Sequence, residues 1–374
     1  MLQVLAMTQT DSFVQQVTVG ADRVPSVVLF TAWQLRELRA FCFDARRGSV
    51  LSFDKTYNLG SMFVTVSTYQ NLSVDRVTSG ASPTFIGPLF IHGKSSTETY
   101  NVFFSSIASR LQYANFTELR VGSDDEYALR KSIQFCFPGS IHVACRRHLN
   151  TNAVHYAQDV VGMNRQQRNS FIQAVFGDAG VASCPDLASF DVKVAKLQQD
   201  LLSSLPEQMQ HYFHNRLVPF LRDNIAAGCA DWTNNGCESI NHVLKSEVHW
   251  RPQKLPELIA KLRQLVDAQY VEADRAMLGR GDFVLKQQYA KHRLTVDEWQ
   301  RMSDRQRDKA RDQCFRLTAP TGTVTSSDGS VTVRGVPHGG RKPHQRKRPT
   351  AERSTTLVKR PKADFLPDDD DDFQ

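Results

Sequence analysis

The stretch Thr233-Asn234-Asn235-Gly236-Cys237-Glu238-Ser239-Ile240-Asn241 sets a carboxylate between carboxamides at helical spacing. At 3.6 residues per turn Asn234, Glu238 and Asn241 share a face, with Lys245 further along it, while Ile240, Val243 and Leu244 point elsewhere and can anchor the helix to a core. A single helical glutamate is most often a solvated one. Two aspartates far upstream alter that reading, because Asp54 and Asp124 each follow a strand-like run. Three such acids suit phosphodiester chemistry. Hydrolysis or transfer needs an in-line nucleophile, a stabilised leaving oxygen and neutralised equatorial oxygens, and two Mg²⁺ or Mn²⁺ ions about 3.5–4 Å apart supply all three. Such hard cations take oxygen ligands, a few carboxylates with water and substrate completing the shell.

The elements that must position these acids follow in order. Val27–Phe43 reads as a short strand and an amphipathic helix, after a polar, ill-patterned start over residues 1–25. Ser49–Asp54 and Met62–Tyr69, rich in Val, Phe and Thr and separated by Asn58-Leu59-Gly60, predict an antiparallel hairpin. A third strand spans Phe85–Ile91. Ser95-Ser96-Thr97-Glu98 is a capping box, opening a helix apolar at Tyr100, Phe103, Phe104, Ile107 and Leu111. A strand at Glu118–Val121, a helix to about Cys136 and a fifth strand at Ser140–Ala144 complete the series. That order is the order of a ribonuclease H-like α/β fold with a mixed five-stranded sheet, in which the first and fourth strands lie side by side. Residues 150–230 read as an all-helical insertion that returns the chain to the sheet just before Glu238. The divisions expected are thus an N-terminal segment 1–44, core 45–149, insertion 150–230, catalytic-Glu and C-terminal helices 231–316, and a disordered tail 317–374.

Several blocks carry a resemblance. Phe53-Asp54-Lys55-Thr56-Tyr57-Asn58, Gly87-Pro88-Leu89-Phe90-Ile91-His92, Ser123-Asp124-Asp125-Glu126-Tyr127-Ala128-Leu129, Cys145-Arg146-Arg147-His148-Leu149 and Asn234–Asn241 occur in one order over roughly residues 45–270. In this the chain resembles the Mutator-like element (MULE) transposase domain of the DDE superfamily. The resemblance puts the three metal-holding catalytic acids on Asp54, Asp124 and Glu238. It selects Asp124 over Asp125, which is read as a first-turn helix acid. It also implies a supporting Cys-x-x-His motif at Cys145 and His148, with Asn234 and Asn241 orienting Glu238 or touching the DNA backbone. The implied activity is cutting of double-stranded DNA at transposon ends, followed by attack of the freed 3′-hydroxyl on target DNA, by a homo-oligomer. Trp232 and Lys245 are placed to touch nucleic acid, with a buried Trp as the plainer reading of Trp232. The family's N-terminal zinc-dependent DNA-reading domain and its Cys/His finger after the core are not legible here, which points to a truncated copy. The alternatives are a domesticated or decayed transposase-derived protein that binds DNA or partners without catalysis, and a nuclease acting on RNA hybrids.

Composition limits the remaining classes. The 374 residues carry a net charge of +7, unevenly placed: 341–362 hold nine Lys/Arg against one Glu, 363–374 hold six Asp, and the rest carries +5. Lys347-Arg348, then Lys359-Arg360-Pro361-Lys362, form a two-part basic pattern of the kind importins read, and predict a nuclear protein. Seven scattered cysteines without CxxC spacing argue for reduced thiols. There is no apolar run long enough to span a membrane and no signal-peptide pattern at the start. Gly93-Lys94-Ser95 resembles the end of a phosphate-binding loop, but the preceding glycine is misplaced and the intervening residues form an apolar strand.

Overall fold

The computed structural model describes residues 1–44, 48–111 and 115–313, together with the backbone of 314–316, 323–325 and 331–333. Met1–Ala319 and Pro320–Gln374 are separate units. In the second, Thr323–Thr325 and Val331–Val333 pair antiparallel, and the rest of the predicted disordered tail, 317–322, 326–330 and 334–374, lies outside the described residues. The basic pattern at 347–362 lies outside the described residues.

The first unit begins with α1 (Leu2–Thr10), β1 (Val14–Thr18), β2 (Ser26–Leu29) and α2 (Ala32–Cys42). Then come β3 (Leu51–Thr56), β4 (Phe63–Gln70), β5 (Val74–Arg76), β6 (Thr84–His92), α3 (Thr97–Arg110), β7 (Arg120–Ser123), α4 (Tyr127–Cys136) and β8 (Ile141–Ala144). The helical region is α5 (Arg146–His155), α6 (Arg165–Phe176), α7 (Leu187–Asp200), α8 (Glu207–Tyr212) and α9 (Val218–Ala226). After it come α10 (Asn235–Glu247), α11 (Leu255–Met277), β9 (Phe283–Leu285), α12 (Val296–Arg301) and α13 (Asp304–Arg316).

The main sheet is mixed and has seven strands, in the order β1-β2-β6-β4-β3-β7-β8. The expected five are there, but β2 adds antiparallel to β6 and β1 adds to β2. The "ill-patterned" start is therefore ordered. Gln15 and Gln16 interrupt the alternation of β1, whose register shifts between Val14 and Gln16, and only Val4, Phe13 and Val14 bury deeply there. β5 and β9 form a separate two-stranded sheet.

Strand periodicity sends alternate side chains to opposite faces. On one face Phe53, Phe90 and Val121 meet α2, α3 and α4; Phe53 stacks edge-on against Phe104 at 5.0 Å. On the other, Val64, Val66, Leu89 and Ile91 meet Ile240 and Leu244 of α10 and Leu258, Ile259, Leu262 and Val266 of α11. Val243, expected among the anchors, is exposed, and Cys237 is buried in its stead. The helical region has its own core, built around Phe171, Phe190, Phe213 and Leu217. Ser96, one residue later than the predicted box, caps α3 by accepting from the Thr99 N–H.

Candidate active site

Asp54 sits in β3 next to Phe53. Because Phe53 points into the core beneath α3, Ser52 and Asp54 face α10. β3 and β7 run parallel, with Leu51 opposite Val121 and Ser52 opposite Gly122. Two residues further in that register, Asp54 comes opposite Asp124 at the strand ends. Helix α10 is fastened across this point by its carboxamides. Asn241 donates from Nδ2 to Asp54 Oδ2 at 2.7 Å, and Asn234 donates from Nδ2 to the Phe53 carbonyl at 3.1 Å. The Asn234 N–H reaches Cys145 Sγ at 3.3 Å. The two asparagines therefore orient Asp54 and β3. Neither side chain bonds the Glu238 carboxylate, which is the role the sequence reading allowed them; Asn234 meets Glu238 only through its backbone carbonyl, which accepts from the Glu238 N–H at 3.1 Å.

The electrostatics agree with this crowding. Burial, then the charge of Asp124, pushes Asp54 up to about 6, and Glu238 adds to the effect while His148 opposes it. Burial and the charge of Glu126 raise Asp124, again against His148. Hydrogen bonding to Cys145 pushes His148 up to about 9 despite its burial, helped by the charges of Cys145, Asp124 and Asp54. Burial alone would raise the Cys145 thiol, but hydrogen bonds from His148 and the Asn234 N–H bring it below the ordinary value. His148 is thus held toward its protonated form beside two carboxylates and a sulfur. Compared with protein-family models and with curated proteins, the chain matches none.

Buried polar groups nearly always find a partner, so orphans mark places where something else is expected. Of nine unpartnered buried side-chain atoms among the described residues, four belong to this cluster: Asp124 Oδ1, His148 Nδ1, Asn234 Oδ1 and Asn241 Oδ1. Asp54 and Asp124 thus suit a divalent cation, which would relieve their repulsion. The third acid does not complete the set. Glu238 accepts from Arg147 Nη1 at 2.7 Å, with the two side chains 34% and 65% exposed. Among the described residues, no three His, Cys, Asp or Glu side chains are grouped closely enough to hold a metal ion.

Sequence reasoning missed three neighbours. Arg147, which holds Glu238, stands inside a quoted motif but was given no role. Lys55 pairs with Glu126 at 2.8 Å, beside the acids. Asp125 is no simple helix-start acid: it precedes α4 and pairs with Arg130 and with Arg216, so it ties the helical region to the acid-bearing edge. Of the two residues assigned to nucleic acid, Lys245 lies over the Tyr57 ring at 5.1 Å, and Trp232 lies against Gly122 of β7. Among the described residues no helix is long and apolar enough to cross a membrane.

Proposed function

We propose that this chain is a MULE-type DDE transposase core on a ribonuclease H-like fold, which cuts and rejoins DNA strands with divalent metal. The observation that carries the reading is the nearness of Asp54 in β3 to Asp124 just past the end of the parallel β7, close enough for the charge of Asp124 to act on Asp54, under a helix that brings the charge of Glu238 to bear on Asp54 as well. The strand order β6-β4-β3-β7-β8 within the larger sheet is consistent with it. Asp54 and Asp124 would hold Mg²⁺ or Mn²⁺, with Glu238 joining on release from Arg147. The cations supply charge neutralisation on the phosphate and activation of the attacking oxygen. The chain's own part is to fix Asp54 through Asn241, to keep His148 protonated beside the acids, and to offer Lys55 and Arg147 to phosphate oxygens. The partner would be double-stranded DNA, at element ends and target, bound by a homo-oligomer. The basic pattern at Lys347, Arg348, Lys359, Arg360 and Lys362 would be read by importin for nuclear entry.

The ion pair between Glu238 and Arg147 favours a second reading, a transposase-derived DNA-binding protein that no longer cuts. Nicking of supercoiled plasmid with Mn²⁺ separates the two. Catalysis predicts nicking that falls at least a hundredfold in Glu238→Gln and in Asp54→Asn while DNA binding persists. Equal nicking in wild type and variants removes these acids from the reaction, and binding without nicking leaves the second reading.

A further inference from the structure

A polar cleft of about 550 Å³ opens on the α10 face of the sheet, at the end of β3 away from Asp54. Hydroxyls of Ser52, Thr68, Thr84 and Ser239 line it, and Trp232 forms part of its wall. The first turn of the 13-residue α10 faces it through Asn235 and Gly236. No side chain caps that helix. The N–H groups of Asn235 and Gly236 have no partner among the described residues, and helix N-termini of this kind favour anions. A second observation is independent of the helix. Arg120 also lines the cleft and is only 8% exposed, yet among the described residues no carboxylate pairs with it. Its guanidinium meets only neutral acceptors: the Gly48 carbonyl, Cys229 Sγ at 3.3 Å and the Ala227 carbonyl at 3.4 Å. Its buried Nε has no partner among the described residues. Buried cations are normally paired, so this charge calls for an anion. The one carboxylate on the rim, Asp231, is paired with Arg146.

We propose that this cleft is a binding site for a phosphate group, carried either by a nucleic-acid strand or by a free nucleotide. Arg120 supplies the buried charge, the α10 N-terminus and the hydroxyls supply donors, and Trp232 offers a ring edge to an attached base. The site lies along β3 from the acids and does not depend on their holding metal. With a strand as ligand, it would fix the backbone beside the phosphate that reacts; that extension rests on the cleavage reading.

The test is a titration of the full chain, without metal, following tryptophan fluorescence with inorganic phosphate, a nucleoside monophosphate and a ten-nucleotide single strand. The expected result is a saturable change, absent in Trp232→Phe. It should be weakened at least tenfold in Asn235→Asp, whose new charge suits the helix end but repels an anion, and in Arg120→Met. Should Arg120→Met fail to fold, the exposed Asn235 variant decides. Binding of the strand at least tenfold tighter than the mononucleotide assigns a nucleic acid, and equal binding assigns a small phosphate ester. No saturable change with any probe, or the same change in Asn235→Asp, overturns the proposal. Glu238→Gln must titrate like wild type, so an intact titration together with no nicking by wild type, or with equal nicking in wild type and Glu238→Gln, counts against the catalytic reading alone.

Discussion

Asn241 is 8% exposed and donates to the carboxylate of Asp54, so it lowers the cost of keeping that acid ionised in a crowded, half-dry site. If Asp54 holds a cation as proposed, Asn241 is a supporting residue of the kind whose removal typically changes metal affinity by about 10–100-fold. Asn241→Ala is therefore expected to shift the Mn²⁺ concentration for half-maximal nicking upward by about that factor, and an unchanged midpoint would show that Asp54 needs no such support. Arg147→Ala should act the other way. It frees Glu238, so the Mn²⁺ midpoint should fall, while stability changes by less than about 1 kcal/mol, as for other exposed pairs. The positions of Asp54 in β3, Asp124 after β7 and Glu238 on α10 were legible because strand and helix placement follows from chain periodicity. What engages each acid was not, because the Asn241–Asp54 and Arg147–Glu238 contacts join residues 187 and 91 apart, and only the tertiary path brings them together.

At the scale of elements, β7 is four residues long, and its Gly122 leaves the space that the edge of the Trp232 ring occupies against the sheet. A Cβ there would overlap that ring and come within 2.8 Å of Val50 Cγ1. Overpacking of this kind costs about 1–3 kcal/mol. Gly122→Ala should lose that much in denaturant unfolding with an unchanged slope, and its tryptophan emission should shift to the red as Trp232 is displaced. Wild-type stability in the variant would mean the ring is free to move aside. Long amphipathic elements were readable: α11 spans Leu255–Met277 as its apolar spacing requires. The three-residue strands β5 and β9 were not, since three residues are too few to show a period. β1 was missed because glutamines occupy the middle of its five positions.

At the scale of the molecule, one buried network joins elements from both ends of the first unit. Glu37 of α2 accepts from the Tyr69 hydroxyl of β4 and from Asn71 Nδ2 at 3.2 Å. Tyr69 in turn lies 3.3 Å from the Tyr270 hydroxyl of α11, and Asp274 of α11 accepts from Arg311 of α13 at 2.6 Å. Burial pushes Glu37 up to about 8, with Asp274 adding to the rise and the Tyr69 hydrogen bond and Arg36 opposing it. A carboxyl whose folded value lies above its unfolded one holds its proton longer when folded. Its contribution to stability is fully present below about pH 4.5 and is lost as pH rises through about 8. His148, raised to about 9, slopes the same way above its unfolded value of 6.5. His92 and His142 oppose both at lower pH, since burial brings each to about 4 and their contribution grows as pH rises toward 6.5. Unfolding free energy should therefore peak near neutrality and fall above it, most steeply between pH 6.5 and 8. Glu37→Gln, an approximate mimic of the protonated acid, should remove the Glu37 share of that fall and leave the shallower slope of His148. By pH 8.5 the variant should exceed wild type by a few kcal/mol at most, an upper bound set by linkage for a fully buried acid. Urea unfolding of both proteins at half-unit steps from pH 5 to 9 measures this. Parallel curves would show that Glu37 stays ionised in the folded protein, with Tyr69 and Asn71 meeting the cost of its burial.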